Sequence, residues 1–328
     1  MTKIYFYPNY DSKQEDANPY VNNFLGSIEG YVEISKNQNR VKLPRGLVFL
    51  RHSFSNDAYI VNWLEDIDTF AFGSFQAIMT IVGLLIIHLR QKKLIWMYHN
   101  IHPHRGETFW SNKIKKYLYR YADIIIAHSL EAKLYAEKHT KNKVIYKCHP
   151  MSELKIKEWN GNVDYCDILI WGSIYPYKGV YEFISIKEIQ KSDLTIKIVG
   201  RCKDVNLANK IQSLCTNRIK FENRVASFDE VAVLCKKSSF VLFPYVGDSI
   251  SSSGVLIDTL CMGGIPVGPN RGAFADLAKE GCCITYDNLI EILTIKENIN
   301  RVDKERVREF CNNNSWSAFG QYVLGLLN

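Results

Sequence analysis

The chain has 328 residues, 47% hydrophobic and 23% charged, with 41 Lys and Arg against 34 Asp and Glu for a formal net charge of +7. That length exceeds the ~250–300 residues at which a single core stops growing, so two domains are expected, and the apolar-to-charged balance excludes a disordered chain. The basic excess is spread along the sequence, without zinc-finger spacing or an RNP-type aromatic motif, which disfavours nucleic acid and points to anionic small molecules or a weak pull towards an anionic membrane.

The opening MTKIYFYPNY has no basic segment followed by an apolar core, so a cytoplasmic chain is expected rather than a secreted one. Lys3 to Tyr7 reads as a strand. Asn18-Pro19-Tyr20 then starts a helix through Val21, Phe24, Leu25 and Ile28, with proline in the first turn and Gly30 as the stop. Strands at Tyr31 to Ile34 and Ala58 to Trp63 fit the alternation of βαβ units, the latter running into Glu65 and Asp66. Phe70 to Leu89 carries no Asp, Glu, Lys or Arg and has about the length that spans a bilayer. A membrane span and a buried crossover helix both fit; Gly73, Gly83, His88 and the strand-like Lys93 to Tyr98 favour the buried helix.

That strand leads into HNIHPH and so delivers His99, His102 and His104 just past its carboxyl end, where parallel sheets bind ligands. On a proline-broken loop without a paired cysteine or acid, substrate contact or acid/base chemistry is expected there rather than zinc. Ser111 to Tyr119 is a basic amphipathic helix; Lys113 to Lys116 with Trp110 and Tyr117 suits peripheral membrane contact or a solvated face. Strands follow at Ala122 to Ala127 and Val144 to Tyr146. The polar, aperiodic interval Met151 to Asp164 is placed as the interdomain linker.

The second half repeats one device. Asp167 to Trp171 is a strand ending at Gly172-Ser173, and Lys178-Gly179 precedes a helix, so an ammonium can sit beside a phosphate held at a helix start. Leu194 to Val199 ends at Gly200-Arg201, whose guanidinium can fork onto a phosphate or a base edge. Ile219 to Phe221 leads to Arg224-Val225, and Ser227 caps the next helix. After Phe240 to Phe243 come Pro244-Tyr245, a polar loop from Gly247 to Ser253, Gly254, an apolar-periodic run, and the strand Ile265 to Val267. Strand, polar loop, glycine and helix start aim free N–H groups and the positive helix end at an anion, and Ser251, Ser252 and Ser253 add hydroxyls. Val302 to Cys311 is helical, Asn312 to Asn314 breaks it, and Ser315-Trp316 opens a short apolar helix to Leu327. The nine cysteines, none in a C-x-x-C pair, read as reduced core thiols, with no metal site.

In this order, HNIHPH, ADIIIAHS at Ala122 to Ser129, Gly172 with Lys178-Gly179, Phe243-Pro244-Tyr245, Ser253-Gly254, Gly264-Ile265-Pro266-Val267 and Ser315-Trp316 resemble the glycosyltransferases of the GT-B fold, particularly family 4 and its bacterial capsule and exopolysaccharide relatives. The resemblance implies an α/β architecture of two Rossmann-like parallel-sheet domains facing a cleft: residues 1–155 on the acceptor side, 165–311 for the nucleotide sugar, and 312–328 as a helix crossing back. It implies that Lys178 neutralises a diphosphate, that Ser252 to Val255 contact it, that Arg224 and Val225 meet the base, and that His99 lies near the transferred sugar. Gly172, Ser173, Arg201, Tyr245, Asp258 and Thr259 complete the donor side, and Asn18, Glu65, His102 and His104 the acceptor side. The implied reaction moves a sugar from a UDP- or GDP-sugar to a glycan or lipid-linked glycan acceptor, without metal or further cofactor, with peripheral contact at the inner membrane. Ser173 departs from the family's arginine, and Ser251 and Thr259, with Asp248 and Asp258 nearby, stand where two glutamates are usual. Those departures leave open retention or inversion, with a lean to retention, and keep a non-catalytic nucleotide-sugar-binding protein as the alternative.

Overall fold

The computed structural model describes residues 1–8, 18–35, 43–101, 106–152, 154, 156–246, 253–295, 299 and 302–327. It divides into two units, Met1–Cys148 with Trp316–Asn328, and His149–Ser315. The sequence suggested divisions at 155/165 and 311/312; the structure makes them at 148/149 and 315/316.

The first unit runs β1 (Lys3–Tyr7), α1 (Pro19–Ile28), β2 (Glu33–Ile34), α2 (Arg45–His52), β3 (Ala58–Asn62), α3 (Gly73–Leu89), β4 (Lys93–Tyr98), α4 (Phe109–Tyr121), β5 (Ile124–Ala127), α5 (Leu130–Glu137) and β6 (Lys143–Tyr146). The strands form one parallel sheet in the order β2-β1-β3-β4-β5-β6. Successive side chains leave a strand on opposite faces. Ile4, Phe6, Ile60, Met97 and Ile126 therefore pack on one side with α1, while Tyr5, Tyr59, Trp96, Tyr98 and Ile125 pack on the other with residues of α2 to α5. Burial on both faces explains why these strands read as unbroken apolar runs. The order reverses between β1 and β3, which puts the ligand crevice of an open α/β sheet at their carboxyl ends.

The charge-free helix begins at Gly73, after a left-handed Phe72 (φ 58), rather than at Phe70. Its 17 residues span about 25 Å at 1.5 Å per residue, and no helix among the described residues is long and apolar enough to cross a membrane. Ala77, Thr80, Leu84 and Ile87 are buried, whereas Phe75, Ile78, Val82 and Leu89 are exposed. The helix is thus buried along one stripe only.

The second unit runs β7 (Cys166–Trp171), α6 (Val180–Ile184), α7 (Lys187–Lys191), β8 (Ile196–Val199), α8 (Val205–Ser213), β9 (Ile219–Glu222), α9 (Phe228–Lys236), β10 (Ser238–Leu242), α10 (Gly254–Cys261), β11 (Pro266–Pro269), α11 (Gly272–Lys279), β12 (Ile284–Tyr286), α12 (Ile292–Ile295) and α13 (Lys304–Asn313). Its parallel sheet has the order β12-β11-β10-β7-β8-β9, so the reversal falls between β7 and β10. The helix expected over Val302 to Cys311 is shifted two residues on, and its break narrows to Asn314 and Ser315. Met151 pairs with Ser315 as an isolated bridge, and its N–H donates to the Asn314 carbonyl at 2.8 Å, so the segment read as linker begins inside this unit. The last helix, α14 (Trp316–Leu327), belongs to the first unit, where Trp316 lies 4.9 Å from Tyr20 and Phe319 5.9 Å from Phe24, ring to ring.

Candidate functional site

At the reversal point of the second unit, β7 is followed by Gly172, whose φ of +98 is a conformation that L side chains rarely adopt. A Cβ there would come within 3.1 Å of Val255 Cγ2 and 3.8 Å of Lys178 Nζ, so the strand end, the start of α10 and the lysine meet at one point. Lys178 closes a short 3-10 turn, Pro176–Lys178, and Gly179 follows at φ +63; a side chain at Gly179 would overlap the Pro244 carbonyl oxygen. Lys178 is buried, its Nζ 5.6 Å from the centre of the Tyr245 ring. Burial alone lowers its ammonium to about 8, and no carboxylate pairs with it among the described residues. A buried cation without a counter-charge is costly unless an anion joins it.

The start of α10 provides further groups for an anion. Ser253 caps the helix, its Oγ accepting the Leu256 N–H at 3.4 Å and lying 3.2 Å from the Tyr245 hydroxyl. The first amides of a helix have no partner within it, and the space beside Gly254 is open. Ser252, Ser251 and Asp248 lie outside the described residues. Asp258 is half-buried, and burial raises its carboxyl to about 6. Thr259 does not reach this surface. It is fully buried, its hydroxyl accepting from Trp171 Nε1 at 2.8 Å and donating to the Val255 carbonyl at 2.8 Å, so it ties β7 to α10 rather than offering a ligand contact.

The remaining donor-side residues divide. Ser173 and Arg201 are exposed just past β7 and β8, where the Ile174 N–H bonds the Arg201 carbonyl at 3.0 Å. Arg224 is already engaged: its guanidinium bonds Glu222 at 2.9 Å and Glu230 at 2.8 Å, which raises its pKa further. Val225 is exposed. One cation escaped the sequence reading. Arg271, just beyond β11, donates from Nη2 to the Tyr245 carbonyl at 3.2 Å. Its only local sign is Asn-Arg-Gly at a strand end; its neighbourhood to Tyr245 comes from the pairing of β10 with β11.

The carboxyl edge of the first unit carries a packed aromatic group. His99 is buried, with Nε2 2.9 Å from Asn62 Oδ1, while Asn62 Nδ2 donates to the Tyr7 carbonyl at 3.0 Å. A carbonyl only accepts, so the Asn62 amide is oriented and His99 Nε2 is the donor. Trp63, left-handed at φ 48, lays its ring 4.2 Å from that of His99 at 17°. His128 is fixed likewise: Nδ1 lies 2.9 Å from the Lys147 carbonyl, so Nε2, 2.9 Å away, accepts from the Tyr20 hydroxyl. Asn62, Tyr20 and His128 were not singled out as site residues from the sequence, although His128 sits in the ADIIIAHS segment.

Of the acceptor-side residues, Asn18 caps α1, its Oδ1 accepting the Tyr20 N–H at 3.0 Å. Glu65 is buried, and burial with the neighbouring Asp66 raises its carboxyl to about 7 while Lys115 opposes the shift. Its Oε2 has no hydrogen-bond partner among the described residues. His102 and His104 lie outside the described residues.

No protein-family model matches the chain, and no curated protein is similar to it in sequence. Similarity to solved structures is extensive. HepE of Anabaena, crystallised with UDP, superposes with a TM-score of 0.73 at 13% identity, over 100% of this chain and 99% of that one; it has also been crystallised with UDP-glucose. A glycosyltransferase from Rickettsia africae gives 0.66 at 12% identity over 99% and 97% of the two chains. The UDP-forming α,α-trehalose-phosphate synthase of Burkholderia vietnamiensis gives 0.62 at 9% identity over 89% and 79%. The fold of the chain is GT-B.

Proposed function

We propose that the chain is a glycosyltransferase that moves a hexosyl group from a nucleotide-diphosphate sugar to a glycan or lipid-linked glycan acceptor in the building of a bacterial surface polysaccharide. The observation that carries this reading is the buried Lys178 ammonium, with no carboxylate partner among the described residues, where Gly172 meets the start of α10. The departing diphosphate gains negative charge as the bond to the anomeric carbon breaks, and preorganised donors that meet this charge are worth most in the transition state. Lys178, the Gly254 and Val255 amides and the Ser253 hydroxyl meet it here, without calling on a metal ion. Arg271 adds a second cation through its seat on Tyr245 and replaces the arginine that is absent at Ser173. That HepE binds UDP and UDP-glucose supports UDP as the base-bearing half of the donor.

Retention of configuration is the outcome we favour. The described group around His99 is an imidazole held by Asn62, suited to orienting a sugar hydroxyl, and retention asks for no strong general base. A membrane-apposed acceptor is supported by the exposed apolar stripe of α3 beside the cations Lys113, Lys116 and Arg120 of α4.

The test is calorimetry with UDP, GDP and their sugars, followed by donor hydrolysis and transfer assays with NMR of the product anomer. Selective UDP binding with turnover supports the reading, and no nucleotide binding overturns it. Ser173 favours one alternative, a nucleotide-sugar-binding protein without catalysis, which predicts UDP-sugar binding with neither hydrolysis nor transfer.

A further inference from the structure

The second unit holds a cavity of about 640 Å3 that sugar transfer does not use, inside the ~300–1,000 Å3 range of small-molecule sites. Part of its wall is Leu260 to Ile265, the turn from the end of α10 into the start of β11. All strands of this sheet are parallel, so the cavity opens on the amino edge, opposite the edge that carries Lys178 and Ser253.

Its floor and its mouth differ in chemistry. Met151, Leu260, Met262 and Val307 form a buried apolar floor. Around the mouth stand exposed Lys236 from the last turn of α9 and Lys304 and Arg308 from α13. Lys304, Val307, Arg308 and Cys311 follow the i, i+3, i+4, i+7 spacing of one helix face, which puts Glu305 and Glu309 beside that face rather than on it. No acid lines the cavity among the described residues, and none of the three cations is ion-paired among them. A greasy floor beneath a mouth of one sign is complementary to a molecule with an apolar chain and an anionic head.

We propose that this cavity binds a single-chain amphiphilic anion, an alkyl or prenyl chain ending in a phosphate or carboxylate, with the chain on the Met151, Leu260 and Val307 floor and the head among Lys236, Lys304 and Arg308. The site is independent of the transferase reading, since it shares none of its residues.

The experiment is calorimetry of the full chain with decyl phosphate below its critical micelle concentration, beside decanoate, decanol and inorganic phosphate. The expected result is one decyl phosphate per chain, bound at least about tenfold more tightly than decanol or inorganic phosphate; decanoate tells whether any anionic head suffices or a phosphate is required. The surface double variant Lys304→Glu with Arg308→Glu weakens binding at least about tenfold, while Lys279→Glu, outside the cavity, leaves it unchanged. Decyl phosphate also slows alkylation of Cys261 and Cys311, which line the cavity, and UDP does not displace it. Equal affinity for decanol, equal affinity for phosphate alone, full binding by the double variant or displacement by UDP would each overturn the assignment.

Discussion

Lys178 has an ordinary pKa of 10.5 in the unfolded chain and about 8 in the fold, with burial as the cause. At 1.36 kcal/mol per pKa unit, holding the ammonium in place costs roughly 3 kcal/mol at neutral pH. Between about pH 8 and 10.5 the unfolded chain binds the extra proton, so stability of the ligand-free protein rises with pH through that window. Affinity for a diphosphate runs the other way, because the anion needs the charged lysine. The Kd for UDP should therefore rise about tenfold between about pH 7 and about pH 9. Lys178→Met should remove that pH step and lower turnover by roughly 10²–10³, in line with loss of one oxyanion donor. Calorimetry at stepped pH reads the first, and a wild-type Kd that ignores pH would refute the role. Thr259 makes the opposite case. Thr259→Val strips the Trp171 indole of its acceptor, so it should cost about 1–3 kcal/mol of stability while leaving the Kd for UDP within about twofold. A weakened Kd at unchanged melting temperature would instead make Thr259 a ligand contact.

At the scale of elements, α3 and α4 carry the membrane argument. Phe75, Ile78, Val82 and Leu89 share the outer stripe of a helix without a charged residue, with exposed Phe72 before it and Phe109 opening α4. Lys113, Lys116 and Arg120 are exposed on α4, and each cation near an anionic leaflet is worth about 1 kcal/mol. Phe75→Asp with Ile78→Asp should lower binding to phosphatidylserine-containing vesicles by at least about tenfold, and raised salt should weaken the wild type. Sedimentation with vesicles measures both, and unaltered binding by the double variant would remove α3 from the interface. The sequence showed the charge-free helix but not which side would stay bare, because that depends on where α2 and α4 pack. It also passed over α2, α5, α8 and α11, helices of eight or nine residues whose stability comes from packing rather than from local pattern. The candidate site was legible where it is local: Gly172, Lys178 and Ser253 each sit in a strand–turn–helix signature. It was illegible where it is distant, as with Arg271 on Tyr245 or Tyr20 on His128, 108 residues apart.

For the molecule as a whole, the chain enters the second unit once and leaves it once, and what returns is α14. Trp316 and Phe319 are buried in the same cluster as Ile4, Phe6, Tyr20, Phe24 and Met97, so the core under one face of the first sheet is completed by the last residues of the chain. Removing a buried aromatic from such a core costs about 3–5 kcal/mol. Phe319→Ala should therefore destabilise the first unit by that amount and leave UDP affinity, a property of the second unit in the proposed reading, within about twofold. Native-state hydrogen exchange separates the two: amides of β1, α1 and β3 should lose protection by roughly 10² to several times 10³ at 1.4 kcal/mol per decade, while those of β7 and β10 keep theirs. Equal loss in both sheets would mean that the two units unfold as one, and that the core closed by α14 supports the whole chain rather than its first half.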